Sequence, residues 1–143
     1  MEWERGGETP HMPIILETTL ATAAAAALIN FWLANRVGRV RMAEKISVGD
    51  GGHEGLSRRM RAQLNFAENT PFVLVLIAAI ELAGRGGLWL SLVGGAYMLA
   101  RVLHGLGMDG GSWQWARMVG IVTTMLTHVV LSGAAVLVLL GVV

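Results

Sequence analysis

Residues 56–82 read LSRRMRAQLNFAENTPFVLVLIAAIEL, a membrane-length stretch whose first half is too polar to face lipid. Arg61, Gln63, Asn65, Glu68 and Asn69 precede Pro71, and an unbroken apolar run from Phe72 to Ile80 follows. Taken as one helix, Arg61, Asn65 and Glu68 fall at i, i+4 and i+7 and share a face. An unpaired carboxylate at bilayer depth costs about 3 kcal/mol or more. Glu68 is therefore expected to face protein or a wet cavity, with a cation or donors in reach. Pro71 removes one backbone donor inside the helical pattern and predicts a kink there. The other segments must close around the polar face.

Composition agrees with a membrane setting. Of 143 residues, 54% are hydrophobic and only 15% charged, and mean hydropathy is +0.57. Further apolar runs flank the first. The predicted spans are 13–35, 56–82, 88–107 and 115–142, each of roughly the 20 residues that a bilayer requires. With no cysteine there is no disulfide, no thiolate nucleophile and no cysteine metal site. His11, His53, His104 and His128 lack metal-ligand spacing, so no metal site is expected. No nucleic-acid partner is expected. His53 is expected to be a solvated loop residue and His128 a hydrogen-bonded core histidine.

Residues 1–11 are polar, hold Gly6-Gly7 and Pro10, and lack the basic-then-apolar order of a signal peptide. They are expected to be a disordered extension, with the helical domain occupying 12–143. Between the first two spans and in their flanks lie Arg36, Arg39, Arg41, Lys45, Arg58, Arg59 and Arg61, most of the chain's 11 basic residues. The positive-inside rule makes this loop cytoplasmic. The short later connections favour antiparallel neighbours, which predicts an all-α, integral-membrane, up-down four-helix bundle. Both termini then lie on the non-cytoplasmic side, and the multi-pass chain is expected in a bacterial inner membrane.

This topology brings the start of the second helix, the end of the third and the start of the fourth to one depth. Arg61, Gln63, Asn65, Glu68, Asn69, Arg101, His104 and Arg117 then form one polar layer. Tyr97, Arg101, His104 and Met108 lie at i, i+4, i+7 and i+11, a second stripe on the third helix. The layer offers guanidinium forks for carboxylates, amides for peptide groups, and a carboxylate for an ammonium. Two readings fit it. One is a site for a small zwitterionic peptide with two carboxylates, where an arginine favours a bound thiolate. The other is structural ion pairing, in which Arg61 and Glu68 bridge to Arg101 to neutralise buried charge.

The run Arg61-Ala62-Gln63-Leu64-Asn65-Phe66-Ala67-Glu68-Asn69-Thr70-Pro71-Phe72 resembles the second-helix signature of the MAPEG family, the membrane-associated proteins in eicosanoid and glutathione metabolism. Ala100-Arg101-Val102-Leu103-His104, with Arg117 further on, is similar to the third-helix motif and fourth-helix arginine of its prostaglandin E synthase branch. The resemblance covers nearly the whole chain after Met12. It implies a homotrimer with glutathione bound between subunits at the cytoplasmic side. Carried over by position, Arg61, Gln63, Asn65, Glu68, Arg101 and His104 would bind glutathione, and Arg117 would be the catalytic residue that stabilises its thiolate. A lipophilic electrophile arriving from the membrane lipids would be the second substrate. Met108 departs from the pattern, standing where a glutathione-holding tyrosine is expected, and Asn69 stands where one branch carries another tyrosine. The resemblance also covers a non-catalytic lipid-binding protein of the same fold. A proton-coupled transporter built on Glu68 and Arg101 is the third reading of the residues.

Overall fold

The computed structural model describes residues 15–142. The expected extension at 1–11 and the start of the first span at Pro13 lie outside them. Four helices make up the fold: α1 (Glu17–Glu44), α2 (Glu54–Leu82), α3 (Leu88–Gly107) and α4 (Gln114–Leu139). A 3-10 turn at Gly111–Trp113 leads into α4, and there is no strand among the described residues. Three segments are long and apolar enough to cross a membrane: Glu17–Glu44, Glu54–Leu82 and Gly111–Leu139. α3 has 20 residues, about 30 Å of helix, which equals the hydrocarbon thickness. Its two basic groups, Arg101 and His104, are both buried against the other helices. Phe31, Phe72, Leu99 and Val129 point outward instead, as lipid-facing side chains do. The chain is an all-α, multi-pass membrane protein.

The main departure from expectation lies in α1, which does not stop at Asn35 but continues to Glu44. Hydropathy ends where the arginines begin, yet arginine is a good helix former. The basic turns are also held by packing. Arg36 Nη1 donates to the Gly105 carbonyl at 2.8 Å, and its other nitrogen pairs with Asp109. α1 ends at Lys45, in the left-handed region at φ 55°, with Ile46 N–H returning to the Arg41 carbonyl at 3.0 Å. The expected long basic loop is thereby reduced to a short turn before α2. His53, expected to be a solvated loop residue, has a structural task there: its Nδ1 accepts the Leu56 N–H at 3.0 Å and caps α2. Asp50 accepts the Gly52 N–H at 3.0 Å, which holds its carboxyl below the usual carboxylate range.

α1 packs chiefly on α2, and α3 on α4, while α1 and α4 form opposite edges and do not touch. The core holds Leu33, Phe66, Val73, Ile77, Leu90, Tyr97 and Leu131. The α3–α4 seam depends on two glycines. A Cβ on Gly107 would lie 2.3 Å from the Arg117 nitrogen, and one on Gly120 would lie 2.4 Å from His104 Cβ. Only a missing side chain permits this approach. α2 runs unbroken through Pro71 to Leu82. Near its end Glu81 accepts the N–H groups of Thr18 and Thr19, both at 2.9 Å, and the Thr19 hydroxyl at 2.7 Å. It thus caps α1, whose own Leu16 supplies no side-chain acceptor.

Candidate functional site

A cleft of about 240 Å³ opens between α2, α3 and α4. The α2 wall is Arg61, Leu64, Asn65 and Glu68, which the 3.6-residue period puts on one face. α3 contributes His104 and Met108, and α4 contributes Arg117 and Ile121. Five of the residues expected in the site are thus brought together: Arg61, Asn65, Glu68, His104 and Arg117. The two arginines and the glutamate form no salt bridge with any described residue. The bridge expected from Arg61 and Glu68 to Arg101 under the structural reading is absent among the described residues. The ion pairs lie elsewhere, as Arg36–Asp109, Arg59–Asp109 and Arg58–Glu54.

Arg101 stands one layer deeper and does not line the cleft. It is 2% exposed. Nη1 donates to Asn65 Oδ1 at 2.5 Å and Nη2 to the Gly120 carbonyl at 2.7 Å. Its Cζ sits 5.6 Å from the centre of the Tyr97 ring, a cation–π distance. The Tyr97 hydroxyl in turn pairs with Thr70 at 3.0 Å, and Thr124 also donates to the Gly120 carbonyl, at 2.7 Å. Arg101 therefore fixes the Asn65 amide: its Oδ1 is engaged from behind, which turns the NH2 away from the guanidinium. His104 Nδ1 lies 3.4 Å from the Arg117 carbonyl. A carbonyl only accepts, so this contact requires the Nδ1–H tautomer and leaves Nε2 as an acceptor.

Gln63 falls on the adjacent face of α2. It lines a second cleft, of about 550 Å³, together with Arg41, Ser57, Met60, Arg61 and Leu64. Arg61 and Leu64 are common to both clefts and form the ridge between them. Arg41 has a buried Nη1 without a hydrogen-bond partner, and its Nη2 faces only the Met60 sulfur at 3.4 Å. Sequence reasoning assigned Arg41 to a loop and gave it no role. It also passed over Asp109, which takes Arg36 from α1 and Arg59 from α2 and so pins the turn that delivers Arg117. The signal was available: Asp109 is the sole acidic residue after Glu81.

Chemically, the cleft offers two cations for carboxylates, one carboxylate for an ammonium, and a pre-oriented amide. A zwitterionic tripeptide such as glutathione presents the complementary groups, so the donor set fits it. The volume is smaller than the roughly 300 Å³ at which ligand pockets begin.

Comparison with known proteins gives the context. Inner membrane protein YecN of Escherichia coli strain K12 is 30% identical over 95 residues, covering 66% of this chain and 72% of that protein. The YecN of Escherichia coli O6:H1 matches to the same extent. The MAPEG family model matches residues 19–137, a range that takes in all the cleft residues. On that match, the chain belongs to the MAPEG family.

Proposed function

We propose that this protein is a glutathione-dependent transferase or peroxidase of the bacterial inner membrane, acting on a lipophilic electrophile. The observation that carries the reading is the set of Arg61, Glu68 and Arg117 around one cleft, none of them in a salt bridge with any described residue. Three such groups are costly near a bilayer unless a ligand or a neighbouring subunit completes them. In this reading Arg61 takes a glutathione carboxylate, Glu68 takes the ammonium, and the Asn65 amide, held by Arg101, takes a peptide group. Arg117 keeps a fixed positive charge beside the sulfur and so favours thiolate over thiol. Glutathione supplies the nucleophilic sulfur, which attacks an electrophile entering from the lipid. His104 holds the start of α4 through the Arg117 carbonyl and keeps that guanidinium in register. The protein acts as a homotrimer, in which the Gln63 and Arg41 cleft of one subunit faces the Arg117 cleft of the next. The 45–53 turn and the turn before α4 lie in the cytoplasm, and both termini lie outside it.

A second reading draws on Met108, which stands where a tyrosine is expected to hold glutathione and with Ile121 gives the cleft apolar walls. Here the protein binds a lipid without turning it over. Ultraviolet difference absorbance of the purified protein titrated with glutathione separates the two. A saturable thiolate band near neutral pH, lost in Arg117→Ala, is expected for the enzyme. No band, with calorimetry also showing no glutathione binding, would leave the lipid-binding reading.

A further inference from the structure

The α1/α3 seam carries two features that the cleft does not use. At its basic end lies a cavity of about 510 Å³, lined by Arg36, Arg39, His53, Arg59, Trp32 and Leu106 with three further residues. Arg36 and Arg59 share a single carboxylate, Asp109, so two positive charges there meet one negative. Arg39 forms no salt bridge among the described residues. Glu44 stands at the rim, with His53 3.9 Å away. The Arg36 guanidinium lies 4.7 Å from the centre of the Trp32 ring, and tryptophan favours the headgroup level of a bilayer.

Farther along the seam is a second cavity, of about 340 Å³, whose near part is walled by Ala21, Ala25, Gly94, Gly95 and Met98 and whose far part reaches Thr18, Thr22, Ser91 and Glu17. Ala25, Trp32 and Arg39 are spaced by seven, two helical turns, so both cavities lie on one face of α1. From Arg39 back to Ala25 the helix rises about 21 Å. One leaflet, from headgroup to midplane, is about 20–22 Å thick.

We infer that this seam is a binding site for an anionic phospholipid of the leaflet at the basic end. The phosphate sits among Arg36, Arg39 and Arg59, and an acyl chain runs past Trp32 to the small-residue groove at Met98. The excess of cations selects an anionic headgroup, since a zwitterionic one brings its own positive charge to Arg39. The spacing selects a lipid over free phosphate, because the groove lies one leaflet away from the charges.

The test uses the full-length protein in nanodiscs of equal parts phosphatidylglycerol and phosphatidylcholine, released for native mass spectrometry. Retained phosphatidylglycerol is expected to exceed phosphatidylcholine by about fivefold or more, the weight of one basic residue at a lipid surface. Arg39→Glu is expected to abolish that preference. Its side chain makes no bond that the fold needs. Gly95→Leu is expected to lower retention of phosphatidylglycerol comparably without touching any charge. A Cβ there meets nothing within 4 Å, so the leucine fills the groove without displacing a helix. Arg85→Glu, in the α2–α3 connection at the opposite end of the helices, is expected to change nothing. Equal retention of the two lipids overturns the assignment. So does wild-type retention in either seam variant, or an equal loss in Arg85→Glu, which would mark general surface charge.

Discussion

Arg101 donates to Asn65 and to the Gly120 carbonyl, and its buried Nε has no partner. Both of its acceptors are neutral, so it remains a full positive charge behind the cleft. This makes Asn65 the residue on which stability and binding separate. Asn65→Leu keeps the volume but leaves a buried guanidinium N–H without an acceptor, at a cost of about 1–3 kcal/mol. A lower midpoint of thermal unfolding in detergent is expected. Asn65→Asp replaces a neutral acceptor by a charged one at nearly the same position. Hydrogen bonds to charged groups are worth about 1 kcal/mol more than neutral ones, so the midpoint should rise. The same carboxylate adds negative charge to a cleft proposed to take carboxylates, so glutathione affinity measured by calorimetry should fall. Opposite shifts in the two measurements are the signature, and a parallel shift would sink the assignment of Asn65 to the site. The sequence placed Arg61, Asn65 and Glu68 on one face because helical periodicity alone does that. It did not show that Arg101 reaches the cleft only through Asn65. Depth depends on how closely α3 approaches α4, which is set by Gly107 and Gly120 across two helices.

At the scale of the helices, the two ends of the bundle are held by different chemistry. At one end, Asp109 ties α1 and α2 to the turn before α4; at the other, Glu81 caps α1. Because Glu81 engages two amides and a hydroxyl, Glu81→Ala should cost about 1–2 kcal/mol, the scale of a lost helix cap. Hydrogen exchange should quicken at Thr18 and Thr19 while the Arg101 region stays protected. Uniform quickening across all four helices would mean that Glu81 supports the whole bundle rather than one helix end. Gly120→Ala tests the seam. The added methyl falls 2.8 Å from the Ala100 carbonyl as well as against His104, and overpacking of this kind costs about 1–3 kcal/mol. It should also spread the cleft and weaken glutathione binding, read in the same calorimetric titration. The helices themselves were legible from hydropathy and turn residues, with α3 found at its observed bounds. The last turns of α1 were not, because a charged helix and a charged loop have the same hydropathy. What distinguishes them is tertiary: Arg36 finds Gly105 and Asp109, which lie 69 and 73 residues away in sequence.

For the whole molecule, the decisive fact is the direction in which the charges face. Arg61 and Glu68 are exposed on one membrane-spanning helix of a single chain, Arg61 on the ridge between two clefts and Glu68 in the cleft beside it. Leu64, on the same ridge, is 49% exposed. α1 and α4 each pack on two neighbouring helices and, among the described residues, do not approach each other. A lone subunit would turn a carboxylate toward lipid, at the cost of about 3 kcal/mol or more noted for Glu68. In the proposed assembly a second copy would relieve this by placing its own polar cleft against the ridge. The proposed closed ring of three subunits does so for every copy, since a head-to-tail contact that closes leaves no ridge uncovered. The chain's lack of cysteine makes this directly testable. Leu64→Cys introduces a single thiol on the ridge, and a short bismaleimide applied in native membranes should join subunits in pairs. The same substitution at Val129, exposed on α4 in the half of that helix beyond the cleft, serves as a control and should not cross-link. Native mass spectrometry in mild detergent should give three protomers. A single protomer, with no cross-linking at Leu64→Cys, would show that the ridge is covered by lipid or ligand alone. That would remove the neighbouring subunit from the proposed glutathione site while leaving the cleft of each chain in place.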